Sequence, residues 1–181
     1  MFKIPNNIIR NESFMNRYYL GRPSMKKWLF LVMALCCFVF GGLNTASADY
    51  PVHLNGDPNF ILIATFRGTG YYLDRSSLVV QQYAPPQYII AVNVIDVPHA
   101  YNGETTISRV QTDKFRYDWS TKSMYLFSDS KNTWNYMNPY GYKIDKYMIE
   151  IPAGEMAFYL AYNMKFYKTS SYFNSTLYKR I

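Results

Sequence analysis

The side chains that most often carry out acid–base and metal chemistry are sparse in this sequence. The two histidines are His53, in a segment without periodic pattern, and His99, directly after a proline. Neither has further ligands at the spacing typical of zinc sites. The segment Gly68-Thr-Gly70 lacks the rest of a dinucleotide-binding loop and the helix that should follow it. We therefore predict no metal-binding and no cofactor-binding residues.

Two pairs of acidic residues have a spacing that could place both carboxyl groups near one bond of a substrate. Asp113 and Asp118 are five residues apart, and so are Glu150 and Glu155. Glycoside hydrolases use such a pair, but no other residue of the sequence supports that geometry. A Ser-His-Asp site stays open, because its parts can lie far apart in a sequence. We predict no catalytic residues and a protein that is not an enzyme, with a small enzyme with a dispersed site as an alternative.

Basic and aromatic residues alternate along one segment. Lys114 and Arg116 alternate with Phe115, Tyr117 and Trp119, a mixture that single-strand nucleic-acid binders use. Because successive side chains point to opposite faces of a strand, the cations and the rings of this strand lie on opposite faces. The chain after residue 48 also carries 13 basic and 11 acidic side chains, a nearly neutral balance that lacks a concentrated basic face. We predict no nucleic-acid partner.

A second group of aromatic and basic residues lies in a segment whose pattern argues against regular structure. Asn138-Pro139 and Gly141 interrupt it, and a contiguous set of exposed rings usually marks a site of interaction. We predict that this group contacts a partner. The alternative is that its rings fold back onto the second face of the sheet. The group consists of Trp134, Tyr136, Tyr140, Tyr142, Lys143 and Lys146.

Residues 25–48 have the order of a secretory signal peptide. Met25-Lys26-Lys27 is a basic start, residues 28–40 carry no charge, and small residues follow. Ala46 and Ala48 occupy the third-last and last positions of the predicted cleavage site, where small side chains are required. We expect cleavage after Ala48, and hence an exported protein that is periplasmic, attached to the cell surface or secreted.

The signal determines how the rest of the chain is divided. Residues 1–24 are interpreted as a non-translated stretch before a start at Met25, or as an extended leader. Residues 49–181 are predicted to form a single exported domain. The apolar part of the signal is shorter than the ~20 residues that span a bilayer as a helix, so we expect no permanent membrane span after cleavage. Both cysteines, Cys36 and Cys37, lie in the signal, which leaves a cysteine-free mature domain.

The mature segment is rich in tyrosine and has the pattern of a sheet. Tyrosine is favoured both on strand faces and in binding surfaces, so its abundance fits either role. Residues 88–97 are apolar at both alternating sets of positions, which is typical of a strand that is covered on both faces. Residues 114–127 have the period of two and the central turn of a β-hairpin.

The last predicted element is a helix. From Pro152 onward, apolar residues recur at helical spacing through Phe166 and Tyr167. Proline is common at the start of a helix, and Glu155 is expected in the first turn, where an acidic residue is favourable. Together these elements predict an α+β fold, with a curled antiparallel sheet of five to seven strands and one C-terminal helix packed on it.

In their order along the chain, these elements resemble the surface-adhesin protein E family. The resemblance implies an exported bacterial envelope protein of sheet and helix, whose relatives contact host matrix proteins. The family pattern often has a cysteine where this chain has Trp119 and a second one near the C-terminal helix; this chain has neither, so a disulfide of the family is absent here. No binding residues of the family are carried over to this chain. The motifs that carry it span roughly residues 60–130 and are Tyr72-Leu-Asp74 with Ser76-Ser77, residues 88–96 entering Pro98, Ser108, and the strand 114–119 with its return at 124–127.

These observations favour an exported cell-envelope or secreted binding domain that is adhesin-like and non-catalytic. Its partner would be a protein or a surface, with a host matrix protein as one candidate. The alternatives are a secreted or periplasmic protein inhibitor of a hydrolase, and the small enzyme with a dispersed site. Exposed aromatic residues in the segment 134–147 would favour the two binding functions, whereas a deep cleft with buried acids would favour the enzyme.

Overall fold

The computed structural model describes residues 49–141 and 147–181. This part of the chain forms one six-stranded antiparallel sheet, in which each strand pairs with its neighbours in sequence, and one α-helix packed on it. The sheet is open, and the predicted α+β fold with a C-terminal helix is confirmed. The strands are β1 (Phe60–Phe66), β2 (Thr69–Ala84), β3 (Gln87–Val97), β4 (Arg109–Asp118), β5 (Ser123–Ser128) and β6 (Thr133–Met137), and the helix is α1 (Glu150–Tyr162).

The predicted signal peptide, residues 25–48, lies outside the described residues, and so do Ala46, Ala48 and both cysteines. Cleavage and export therefore stay predictions. Within residues 49–141 and 147–181, no helix is both long enough and apolar enough to cross a membrane.

Strand β3 lies between β2 and β4, inside the sheet. Its sequence is apolar on both faces, and Val92 at its centre is completely buried. The prediction that this strand is covered on both faces is confirmed for its C-terminal part, where Ile95 and Val97 are buried on the face opposite to Val92 and Val94. Strand β2 is the longest, and its pairing with β3 shifts register between Asp74 and Val79. There the Ser77 hydroxyl donates to the carbonyl of Asp74 at 2.7 Å and accepts the N–H of Asn93 at 2.8 Å, which bridges the irregularity.

The helix covers the face of the sheet that we call the inner face. It begins two residues before the predicted Pro152 and ends at Tyr162, four residues before Phe166. Asn163 ends it because its φ of 54° is left-handed, a conformation in which helices commonly stop. Phe166 and Tyr167 are buried as predicted, but they reach the core from the segment after the helix.

Phe158 lies at the centre of the main core, between α1 and the inner face. Its side chain is completely buried. Its ring centroid is 4.8 Å from that of Tyr117 and 5.4 Å from that of Tyr88, and it stacks on Trp119 at 5.5 Å with an interplanar angle of 14°. Tyr88, Tyr117 and Trp119 therefore hold the helix against the sheet, since such ring pairs add to the stability that burial supplies.

Glu155 does not lie in the first turn of the helix, as the sequence had predicted; the acidic residue there is Glu150. Glu155 lies in the second turn of α1 and is completely buried. Its two carboxylate oxygens accept the backbone N–H groups of Phe166, at 2.7 Å, and of Tyr167, at 2.8 Å, and the Tyr178 hydroxyl donates to one of them. Burial raises the pKa of Glu155, and these hydrogen bonds oppose the rise. The carboxyl group thus fastens the C-terminal segment to the helix.

The opposite face of the sheet, the outer face, is covered over only one end. There the segment before β1 and the short 3-10 helix Ala100–Asn102 close a second, smaller core. The second layer expected from the apolar strands is therefore present over part of the sheet, and the outer face of β4, β5 and β6 is left without a covering element among the described residues. The smaller core consists of Leu54, Leu62, Tyr72, Ile95, Val97 and Ala100.

Candidate functional site

The uncovered part of the outer face carries a patch of aromatic and basic side chains. In β4, Phe115 and Tyr117 belong to the main core, so the residues that alternate with them point outward. The same alternation in β5 turns Met124 inward and its neighbour Tyr125 outward. We call this patch the basic aromatic face; it consists of Lys114 and Arg116 in β4, Tyr125 and Phe127 in β5, and Trp134 and Tyr136 in β6.

Strand register brings these side chains together. Arg116 pairs with Tyr125, which pairs in turn with Tyr136, and Phe127 pairs with Trp134. The ring centroids of Tyr125 and Tyr136 are 5.6 Å apart, and those of Phe127 and Trp134 are 5.1 Å apart, each pair inclined by 60°. The basic aromatic face therefore comprises two cross-strand pairs of rings on β5 and β6, next to the cations of β4.

The two cations of the face rest on its rings. The guanidinium carbon of Arg116 lies 4.5 Å from the ring centroid of Tyr125 and 5.1 Å from that of Trp134. The Lys114 ammonium lies 4.9 Å from the ring centroid of Phe127. Within the described residues, neither cation forms a salt bridge with a carboxylate. The salt bridge found there joins Arg109 and Asp96. Both positive charges stay available to an anionic group outside the chain.

The face is accessible to solvent and continues onto β3 and β2. Tyr136 is 50% exposed, and the other five side chains are half-buried. Ile89 and Ala91 of β3 are the register partners of Arg116 and Lys114. Val79 of β2, which is 55% exposed, pairs in turn with Ala91. The cations thus lie between an apolar strip on one side and the aromatic pairs on the other.

The predicted partner-binding residues divide into three groups. Trp134 and Tyr136 lie on the basic aromatic face, in a regular strand of the sheet. Tyr140 lies beyond β6 and is 67% exposed, with its backbone N–H bonded to the side chain of Asn138 at 3.0 Å. Tyr142, Lys143 and Lys146 lie outside the described residues. The structure therefore places two of the six residues together, on a surface built mainly from other strands.

The sequence interpretation missed Lys114, Arg116, Tyr125 and Phe127 as members of one surface. It was right that the cations and rings of β4 itself lie on opposite faces. The rings next to the cations come from β5 and β6, however, so the face exists only across strands. The spacing of Tyr125 and Phe127 at alternate positions was the available signal, because a hairpin register that turns Met124 inward turns both of them outward.

A small cavity at the end of the inner face gathers acidic groups beside the start of α1. Asp113 is 4% exposed, and burial raises its pKa to about 6. Burial also raises the pKa of Asp96 and of Glu150, while the positive charge of Arg109 opposes the rise in all three. The Gln111 side chain donates a hydrogen bond to Asp113 at 2.7 Å.

This cavity pairs acids that the sequence interpretation had not joined. The acids that share it with Asp113 are Asp96 and Glu150, whereas Asp118 and Glu155 lie elsewhere. Its volume is about 100 Å³, far below the ~300–1,000 Å³ of sites that hold small molecules. The described residues also contain no group of three or more acidic, histidine or cysteine side chains placed to hold a metal ion. The cavity can hold a few waters around buried carboxyl groups.

A larger cleft of about 550 Å³ lies between the end of β1 and the C-terminal segment. Ala64 and Thr65 form one wall, and Ser171, Asn174 and Arg180 contribute to the other. The guanidinium of Arg180 donates to the backbone carbonyl of Leu62 at 2.6 Å, so it holds the C-terminal segment against the edge of the sheet. Gly141 and Met148 also line the cleft.

Comparison of the chain with known proteins finds no relative that could assign a function to this surface. No protein-family model, no curated protein and no solved structure matches the chain. The likeness to the surface-adhesin protein E family therefore rests on the sequence motifs alone, and function has to be argued from the site itself.

Proposed function

We propose that the protein is an exported, non-catalytic binding domain that contacts a protein or surface partner through the basic aromatic face. The observation that carries the proposal is the position of Lys114 and Arg116, which are stacked on outward-pointing rings without a carboxylate partner among the described residues. Arginine and aromatic residues are enriched where binding energy is concentrated. The uncovered outer face presents them together.

Cross-strand ring pairs also stabilise a sheet, so part of this arrangement serves the fold. Stability alone does not require cations at this position, because an apolar residue beside the rings would pack as well. The half-exposed rings and the two cations match the composition of an interface better than that of a solvated sheet face. The same face would serve the alternative function, an inhibitor that blocks a hydrolase by surface contact.

Export is part of the proposal and rests on the sequence of residues 25–48. Cleavage after Ala48 would release a domain that begins at Asp49, the first residue that the structure describes. N-terminal sequencing of the exported protein should therefore begin at Asp49. A mature form that retains residues 28–40 would contradict this part of the proposal.

The enzyme alternative would use the acidic cavity that contains Asp113 and Glu150. Its raised pKa values are of the kind found at catalytic sites. Its volume is too small for a substrate larger than a few atoms, and carboxyl groups that are buried for structural reasons have raised pKa values as well. We therefore favour binding over catalysis.

The test of the proposed function is a double substitution in β6, Trp134→Ser with Tyr136→Ser. Binding of the purified protein to immobilised host matrix proteins and to whole cells is measured for the wild type, the variant and a matched control. The control is Tyr101→Ser, which changes a tyrosine that is also exposed but lies outside the basic aromatic face. We expect the double variant to lose at least about tenfold in affinity, or 1.4 kcal/mol, and the control to bind like the wild type.

Cooperative thermal unfolding of both variants, followed by circular dichroism, establishes that they are folded. If the folded double variant binds as well as the wild type, the basic aromatic face is not the contact surface. If a hydrolase is inhibited and no adhesion is found, the inhibitor alternative replaces the adhesin-like one.

A further inference from the structure

We propose that the ligand class of the basic aromatic face is an acidic polysaccharide, with sugar rings against Tyr125, Trp134 and Tyr136 and acidic substituents on Lys114 and Arg116. This inference rests on the proposed function, because it names the partner chemistry of the same surface. It does not follow from the family resemblance, which implies protein partners.

The composition of the face favours a ligand that is mostly rings and only moderately charged. It offers four aromatic side chains but two cations, both held against ring faces. Each sugar ring has an apolar side of C–H groups that can pack on an aromatic ring, and an acidic sugar adds an anion to that ring. The face supplies both kinds of contact within one row, since Arg116 is followed across the strands by Tyr125 and Tyr136.

The shape of the face suits an extended chain that crosses the strands. Neighbouring strands are ~4.8 Å apart, so the row from Ile89 through Arg116 and Tyr125 to Tyr136 spans roughly 14 Å. No element of the described chain rises above this row from β3 to β6. An oligosaccharide of a few units can lie along it, with its anionic groups near β4 and its rings over β5 and β6.

A single-stranded nucleic acid fits the face less well. Nucleic-acid affinity grows with the number of phosphates neutralised, and two cations neutralise few. Asp118, on the same side of β4, keeps its negative charge, because hydrogen bonds from Ser120 and Thr121 lower its pKa, and this charge limits the number of anionic groups that can bind near β4.

The carboxylates of an acidic protein surface would form ion pairs with Lys114 and Arg116, but such a surface need not place rings against the aromatic side chains. The distinction can be measured with four probes of stated chemistry at physiological ionic strength. They are chondroitin sulfate, an acidic polysaccharide; dextran, a neutral one; polyglutamate, an acidic chain without rings; and single-stranded oligo(dT).

We expect the purified protein to bind chondroitin sulfate at least about tenfold more tightly than each of the other three probes. Arg116→Gln and Trp134→Ala should each weaken that binding about tenfold or more. Arg116→Lys, which keeps the charge but loses the planar group that stacks on two rings, should bind with intermediate affinity. Lys179→Gln, which removes an exposed cation of the C-terminal segment, is the matched control and should bind like the wild type.

Equal binding of polyglutamate or tighter binding of oligo(dT) would overturn the inference, since charge or base stacking would then suffice. Equal binding of dextran would show that the cations do not select the ligand. If no acidic polysaccharide binds but the Trp134/Tyr136 double variant still loses binding to matrix proteins, the ligand class is wrong while the proposed function stands. If neither polysaccharide nor protein binding depends on the face, both proposals fail.

Discussion

The backbone of Gly154 in α1 lies against the side chain of Met124 in β5, with no room for a Cβ atom between the glycine and the methionine sulfur. A Cβ at this position would also lie 3.1 Å from Cδ1 of Phe115. The Tyr117 hydroxyl donates to the Gly154 carbonyl at 2.8 Å, which keeps the helix close to the sheet. The glycine thus permits the short distance between the two layers.

Gly154→Ala should therefore destabilise the protein, although alanine is favoured over glycine by about 1 kcal/mol in an unconstrained helix. We expect the free energy of unfolding to fall by about 1–3 kcal/mol, as for other overpacked cores, measured by urea denaturation. In a Met124→Ala background the clash with the methionine sulfur is removed and the close approach to Phe115 remains, so the same substitution should cost less than about 1 kcal/mol. Additive effects of the two substitutions would contradict this close contact.

The burial of Phe158 among aromatic rings predicts that the loss of stability on substitution to alanine depends on how deeply the side chain is buried. Phe158→Ala, at a completely buried position, should lower the free energy of unfolding by about 3–5 kcal/mol. Leu160, which the sequence interpretation had chosen to dock the helix, is only half-buried, so Leu160→Ala should cost less than about 2 kcal/mol. Lys179→Ala, at an exposed position, should stay within about 0.5 kcal/mol. A larger effect at Leu160 than at Phe158 would mean that the helix face is wrongly assigned.

The hydrogen bonds to Glu155 predict a specific effect of an isosteric change. Glu155→Gln replaces one acceptor oxygen by a donor, so one of the N–H groups of Phe166 and Tyr167 loses its partner. We expect a loss of about 1–3 kcal/mol in the free energy of unfolding. Tyr178→Phe removes one hydrogen bond to the carboxylate and should cost about 1.5–3 kcal/mol.

Tyr159→Phe is the control for Tyr178→Phe, because the Tyr159 ring packs on that of Tyr178 at 5.1 Å while its hydroxyl makes no hydrogen bond within the described residues. It should change stability by less than about 0.5 kcal/mol. Equal effects of the two tyrosine substitutions would indicate that the carboxylate does not hold the C-terminal segment.

The buried carboxyl group of Asp113 predicts that stability falls as the solution becomes less acidic. Its pKa is about 6 in the folded protein and about 3.9 in an unfolded chain. Between these values the folded state binds more protons, so the free energy of unfolding decreases as pH rises, by at most about 3 kcal/mol. The raised pKa values of Asp96 and Glu150 act in the same direction.

Asp113→Asn should remove most of this decrease and stabilise the protein at neutral pH, as measured by thermal unfolding at a series of pH values. Asp129→Asn, at an exposed turn position, should leave the decrease in place. A wild-type protein whose stability rises between about pH 4 and pH 6, the range between the two pKa values, would contradict the burial of this group.

Much of the sheet could be predicted from the sequence, because its strands are local patterns. The apolar positions on both faces of β3 predict its place inside the sheet, and the alternation in β4 predicts the hairpin with β5. The end of α1 could not be predicted in the same way. Apolar spacing continues to Phe166 and Tyr167, and only the left-handed conformation of Asn163 separates them from the helix.

The candidate site was harder to predict, for a reason of register. Arg116, Tyr125 and Tyr136 become neighbours only when three strands pair with defined offsets. A slip of one residue in either pairing would turn the rings to the inner face. The burial of Asp113 beside Glu150 depends in turn on where the helix starts, which sequence spacing alone does not determine.

The pairing of every strand with its sequence neighbour has a consequence for the order of folding. Each hairpin closes a short loop, and chains dominated by such local contacts fold fast. The contacts that join distant parts of the chain come from the C-terminal segment, such as the Met124 N–H with the Tyr167 hydroxyl and Arg180 with Leu62. Because the N-terminal part of the chain is synthesised first, the six-stranded sheet can form before the helix. Its apolar inner face then stays uncovered until the helix has been synthesised and packs on it. We expect that interval, rather than strand pairing, to be the stage at which the protein is most prone to aggregate.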